Sequence, residues 1–175
     1  MIRVGDMIIY GKSGACRVEQ ITPMAFEGME EALCYVLRPL YRDGLIYAPV
    51  TTRVFMRPIL SKAEVLELVD EIPKTEPEVF HERSTQLLTQ HYEGILSTHD
   101  CRELLRMTMA LYRKQQKARA DGRRFGQIDS RFMKQAEELL FGEMAAALGL
   151  TPEEIPGWIE RRIGGEGSGG AKLEG

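Results

Sequence analysis

The feature that most constrains the fold is a change of pattern near residue 60. Residues 1–59 read as short apolar runs separated by turn residues, whereas from Ser61 onward the chain carries helix-start signals and apolar residues at 3–4 residue spacing. Met7-Ile8-Ile9-Tyr10 is a short strand followed by Gly11-Lys12-Ser13-Gly14, a turn, and Ala15 to Ile21 continues as strand. Ala32 to Pro39 is the next strand, and Asp43-Gly44 signals a hairpin turn because both residues tolerate positive φ. Leu45 to Val50 pairs back, and Arg53 to Arg57 adds a last strand. Five short strands in under 60 residues predict a small, strongly curved sheet or open barrel. A module of that size has a thin core and leans on a neighbour.

The rest reads as helix. Ser61-x-x-Glu64 is a capping box opening a short helix to about Glu71, and Ile72 to Pro77, with two prolines, is a linker. A helix is expected from Glu78 to Leu96. Another opens at the Asp100-x-x-Glu103 box and runs to Ala120. A third is capped by Asp129 or Ser130 and ends at Gly149. Thr151-Pro152-Glu153-Glu154 starts a last short helix. Short connections imply an antiparallel bundle. The domains expected are therefore a β domain at 1–59, a short helix and linker at 60–77, and a helical domain at 78–163. The Gly/Ser-rich residues 164–175 read as a flexible natural tail or an expression remnant. The fold class is α+β.

Charge is unevenly placed. Residues 102–134 hold ten Arg or Lys against Glu103, Asp121 and Asp129, a local balance of +7 in a chain of net charge –3. From Glu137 to Glu160 there is no Arg or Lys, so the helical part is polarised. Clustered cations supply salt-sensitive, sequence-independent phosphate contacts, and no pattern suggests base reading in the major groove. A charge run is also what a solvated helix face looks like, and cations near a helix C-terminus are favoured by its dipole.

Catalytic patterns do not form. Gly11-Lys12-Ser13 lacks the glycine spacing of a phosphate loop, and a strand rather than a helix follows it. His91, His99 and Cys101 lack helical i, i+4 spacing and a fourth ligand. Cys16, Cys34 and Cys101 read as reduced, packed thiols. No enzyme activity, metal or cofactor is expected. No apolar run approaches bilayer length, and no signal core opens the chain, so a cytoplasmic protein is expected.

Several stretches resemble one family in order and spacing. Val4-Gly5-Asp6-x-x-Ile8-Ile9-Tyr10-x-x-x-Gly14-x-x-x-Val18 resembles the start of CarD/CdnL-type bacterial transcription regulators and of the polymerase-interacting module of transcription-repair coupling factors. Ile46-Tyr47-Ala48-Pro49-Val50 resembles that module's late strand. Arg102 to Met107 leading to Leu111-Tyr112, and Ala136 to Glu143 with Leu148-Gly149, are similar to the family's helices. The likeness spans about residues 1–163, and the length without helicase motifs is closer to the CarD/CdnL type.

The resemblance implies a Tudor-like, SH3-like β-barrel domain that binds the lobe of the RNA polymerase β subunit. It also implies a helical domain that contacts promoter DNA at the upstream edge of the bubble and stabilises the open complex. The protein would act as a monomer, held at the nucleoid through polymerase. Met24, Ile46, Tyr47 and Pro49 are the polymerase-binding candidates. Phe80, Arg83, Arg113, Lys114, Lys117, Arg119, Arg123, Arg124, Arg131 and Lys134 are the DNA-binding candidates. Two departures stand out. Relatives place a wedge tryptophan near the start of the first long DNA-domain helix, where this chain has Glu78 to Arg83 with Phe80 as its apolar aromatic. Trp158 is the single tryptophan, far downstream, expected to pack on the bundle. Some relatives carry arginines where this chain has Met24 and Tyr47. The alternative reading is an adaptor that binds polymerase or another protein without touching DNA.

Overall fold

A computed structural model describes residues 1–168 of the 175. Five strands come first: β1 (Met7–Tyr10), β2 (Gly14–Met24), β3 (Ala32–Pro39), β4 (Ile46–Pro49) and β5 (Met56–Pro58). They form one antiparallel sheet in the order β4-β3-β2-β1-β5. Five helices follow: α1 (Lys62–Asp70), α2 (Thr85–Leu96), α3 (Cys101–Ala120), α4 (Gln127–Leu148) and α5 (Ile155–Ser168). The α+β class is as expected. The barrel is not: β4 and β5 lie at opposite edges and do not pair, so the sheet is open.

A register shift between Val18 and Gln20 lets the long β2 bend, since a bulge sharpens local twist. One face of the sheet collects Ile8, Cys16, Val18, Leu37 and Ala48, with Ile2, Tyr10, Ile21, Tyr35, Ile46 and Met56 around them. Burial pushes the Cys16 thiol up to about 11, so it packs as an apolar group. This small core does not close by itself. The other side of β2 lies on α4, where Gly14 is so close that a Cβ there would stand 3.3 Å from Leu139 Cδ2.

The helical core is larger and continuous. Val65, Leu68 and Val69 of α1 join Leu88, Tyr92, Leu104, Leu105, Leu111, Phe132, Leu140, Met144 and Ile155 in one cluster. Trp158 packs against it, as its position suggested. Caps explain the boundaries. Ser61 and Glu64 form the expected reciprocal capping box at α1, with Ser61 N–H to Glu64 Oε2 at 2.7 Å and Glu64 N–H to Ser61 Oγ at 3.1 Å. Gly149 adopts the left-handed conformation (φ 70°) that ends α4.

Six expectations need correction. The helix expected from Glu78 begins at Thr85, because Ser84 is the N-cap and accepts the Leu87 N–H at 3.3 Å. Residues 75–84 instead run as an irregular strap, with Pro77 buried. At α3, Asp100 caps the Arg102 N–H, and Glu103 pairs with Arg106 rather than closing the box. Asp129 and Ser130 are not caps: α4 starts at Gln127 behind Gly126, and Asp129 is buried in its first turn. Asp43-Gly44 sits in a six-residue link between β3 and β4 rather than a two-residue hairpin turn, although Gly44 does take φ 97°. The last strand is Met56–Pro58 rather than Arg53 to Arg57. The expected tail at 164–175 overlaps α5, which continues to Ser168, and its remainder lies outside the described residues.

Candidate functional site

Two surfaces carry the candidate residues. On the sheet, cross-strand register sorts them. Met24 pairs with Ala32, Cys34 with Pro49 and Val36 with Tyr47. Pleating therefore puts Met24, Tyr47 and Pro49 on one face, and Ile46 on the other, where it packs into the sheet core. Tyr47 is 45% exposed and meets the Phe26 ring edge-on at 6.2 Å. Phe26, Met29, Leu33 and Val50 are also exposed large apolar residues of the β2–β3 tip and the β4 edge. The Val50 N–H donates to the Leu33 carbonyl at 2.9 Å, which ties the two segments together. The sequence reading missed these four. Their signal was present, because apolar residues at a strand tip have no core to enter. Patches of this kind mark protein contacts. β4 is also an edge strand, with one side free of strand partners in the sheet.

On the bundle, the ten cations of residues 102–134 divide into two groups. Arg102 pairs with Glu71, Arg106 with Glu103 at 3.1 Å, Arg113 with Glu76 at 3.2 Å and Arg123 with Asp121 at 3.0 Å. The Arg102 guanidinium beside it holds the Glu71 carboxyl below its usual range. Lys114 is committed deeper in. Its ammonium lies 3.0 Å from Asp129 Oδ2 and donates to the Phe80 carbonyl at 3.1 Å, with the lysine side chain 17% exposed and the aspartate 7%. Tyr92 Oη donates to Asp129 Oδ1 at 2.6 Å, and burial and that bond raise the Tyr92 pKa.

The second group, Lys117, Arg119, Arg124, Arg131 and Lys134, is exposed and has no carboxylate partner among the described residues. Arg131 lies over the Phe132 ring at 4.8 Å. These five come from the C-terminal turn of α3 and the loop and first turns of α4, which makes one end of the bundle basic. The N-terminus of α4 adds its own positive dipole end.

Phe80 and Arg83 lie on the strap rather than on a helix. The Phe80 ring is half-buried and stacked on His91, with centroids 3.7 Å apart and an interplanar angle of 13°. Desolvation lowers the His91 pKa, which favours the neutral ring in that stack. Beneath the strap is a groove of about 720 Å³ lined by Val79, Phe80, His91, Ile95, Met107 and Leu111 among others. Arg83 is exposed and apart from the basic end in sequence.

Other chemistry is sparse. No group of three or more His, Cys, Asp or Glu side chains among the described residues could hold a metal ion. The three cysteines are free and buried, and no described helix is long and apolar enough to cross a membrane. No curated protein matches the chain. Residues 2–60, 59 of the 175, match the family model described as the CarD-like/TRCF RID domain, a protein-interaction domain that binds RNA polymerase rather than a catalytic one. The open sheet that presents Tyr47 and the β4 edge is thus similar to the CarD-like/TRCF RID domain over residues 2–60.

Proposed function

We propose that this protein is a transcription regulator that docks on the RNA polymerase β subunit through the sheet and contacts promoter DNA through the basic end of the bundle, stabilising the open complex. The observation that carries the DNA half is the gathering of Lys117, Arg119, Arg124, Arg131 and Lys134, all exposed and without a carboxylate partner among the described residues, at the end of the bundle away from the sheet contact. Arg131 lies eleven residues, or about 17 Å along the α4 axis, from Gly142, whose carbonyl accepts the Tyr41 hydroxyl of the sheet module. Docking presents Met24, Tyr47 and Pro49, together with Phe26, Met29, Leu33 and Val50, to an apolar patch on the partner. Attachment raises the local DNA concentration, so weak phosphate contacts suffice. A preference of about 1.4 kcal/mol for opened over closed DNA shifts that equilibrium tenfold.

The same geometry refines the list of DNA contacts. Arg113 and Arg123 reach phosphate by exchanging an exposed carboxylate partner, a change of small cost. Lys114 would have to leave Asp129 buried and unpaired, so its role is to fix the strap. Phe80 wedges between bases only by leaving His91.

The test is the salt dependence of binding to a forked promoter fragment, for wild type and a Lys117→Ala/Arg119→Ala/Arg124→Ala variant. Loss of three phosphate contacts lowers the slope of log K against log salt by about 2.7. Polymerase binding stays intact, and the open-complex lifetime shortens to that without the protein. The rival reading, an adaptor without DNA contact, draws on the internal pairing of half the cations. It wins if wild type binds polymerase and lengthens no open complex, and if the variant has the wild-type slope.

A further inference from the structure

Between the two surfaces lies a cluster that neither of them uses. Arg57 of β5 reaches across to α4, where Nη1 donates to Glu143 Oε2 at 2.6 Å and Nη2 to Oε1 at 2.8 Å. Glu143 is 2% exposed. It also accepts the Leu60 N–H at 2.8 Å and the Cys101 thiol at 3.0 Å, so both its oxygens are saturated. The other face of the guanidinium donates to the His99 carbonyl, from Nε at 3.3 Å and Nη2 at 3.0 Å. Beside this clasp, Tyr41 Oη donates to the Gly142 carbonyl at 2.6 Å. The Tyr41 ring lies so close that a Cβ on residue 142 would stand 2.9 Å from its Cε2. Phe55 stacks on His99 with centroids 4.3 Å apart.

Apart from the Cys101 thiol, which belongs to the bundle itself, and the Leu60 N–H of the segment after β5, these contacts run from the sheet module to the bundle. A buried two-pronged ion pair has one good geometry, and leaving it strands a carboxylate away from water. Arginine is required there, because its planar fork meets two carboxylate oxygens and a carbonyl at once, which a lysine point charge cannot.

We propose that Arg57, Glu143, Gly142 and Tyr41 are positioning residues that hold the docking sheet and the basic end of the bundle in one fixed orientation. That orientation, rather than the affinity of either surface alone, sets how strongly the protein acts on a polymerase–promoter complex. The proposal rests on the bridging reading above. Its physical basis is that two linked contacts reinforce each other only when the link presents both at the right spacing and angle.

The test uses the full chain with Arg57→Lys, which keeps the charge and loses the fork, and separately Gly142→Ala, which pushes Tyr41 away without touching any charge. Neither position lies on the β4 edge or the basic end. Amide residual dipolar couplings read orientation, while affinities for polymerase and for forked DNA and the open-complex lifetime read function. In wild type, couplings from both halves fit a single alignment tensor. In the variants they do not, each affinity stays within about twofold, and the lifetime gain falls about fivefold or more. A single tensor retained in both variants overturns the proposal. So does an unchanged lifetime in a variant whose halves have separated, and so does loss of either affinity, which would place these residues in a binding surface. If wild type has no effect on the open complex at all, the bridging reading fails, and the dipolar couplings still decide whether this joint sets the orientation.

Discussion

Arg57 and Arg119 are the same residue type put to opposite uses. At the junction, Arg57 meets Glu143 in a site from which water is nearly excluded, and the pair is consumed in holding two modules together. Burial would lower the Arg57 pKa, but the hydrogen bond and charge of Glu143 outweigh it and the guanidinium is held still more firmly protonated. At the basic end, Arg119 and its neighbours Lys117 and Arg124 face solvent with no carboxylate partner among the described residues. A cation's role is set by what surrounds it. The same charge is a structural tie where a carboxylate is buried beside it, and an available ligand for phosphate where only water is.

That contrast can be broken at graded strengths. Glu143→Ala leaves Arg57 facing a joint built for a carboxylate, and removal of one partner of a buried pair is expected to cost about 3–5 kcal/mol in urea unfolding. Lys114→Met leaves Asp129 with the Tyr92 hydroxyl alone, and about 1–3 kcal/mol is expected to be lost by the same measurement. Lys117→Ala, one turn further along α3, should stay within about 0.5 kcal/mol of wild type. If Lys117 and Lys114 prove equally costly, the division into committed and free cations collapses. Glu76→Gln removes an exposed carboxylate from Arg113, and its effect on stability should be below about 0.5 kcal/mol, while forked-DNA affinity rises because one more cation is released.

The smallest expected effect is that of pH. Desolvation lowers the His91 pKa in the folded chain, so the unfolded chain binds the proton more readily. Stability from the Phe80–His91 stack is therefore complete above the ordinary imidazole value of about 6.5 and declines as pH falls through it toward the folded value. Thermal unfolding of His91→Phe should show a flatter stability profile across that window than wild type. An identical profile would mean that the ring titrates normally in the fold.

Much of the chain was legible before its shape was known, wherever the cause was local. The Ser61 capping box, the α4 stop at Gly149 and the strand at Ala32–Pro39 each depend on residues within a few positions of one another. The division between a β part and a helical part was legible for the same reason. Errors arose where a distant partner overrode a local signal. Glu78 to Arg83 read as the first turns of a helix, yet the Phe80 ring is held by His91 and its carbonyl by Lys114, across a groove from α3. Asp129 read as a cap and is instead a buried counter-charge for a lysine fifteen residues earlier.

The candidate surfaces divide in the same way. A local balance of +7 over residues 102–134 is a property of the sequence. Which of those cations remain available is not, since Glu71 arrives from the end of α1, Glu76 from the strap and Asp129 from the next helix. Tyr47 and Pro49 alternate with Ile46 by the strand period alone, but only the pairing with β3 and β2 places Met24 beside them. The sequence by itself determined the element types, most of their ends and the sign of the charge at the bundle's far end, because these follow from propensity, capping and composition over short spans. The tertiary structure alone decided that the sheet stays open, that Arg57 and Glu143 meet 86 residues apart, and that five of the cations of residues 102–134 have no carboxylate partner among the described residues. Those outcomes depend on burial and on the approach of distant groups, and neither is encoded within any single stretch of chain.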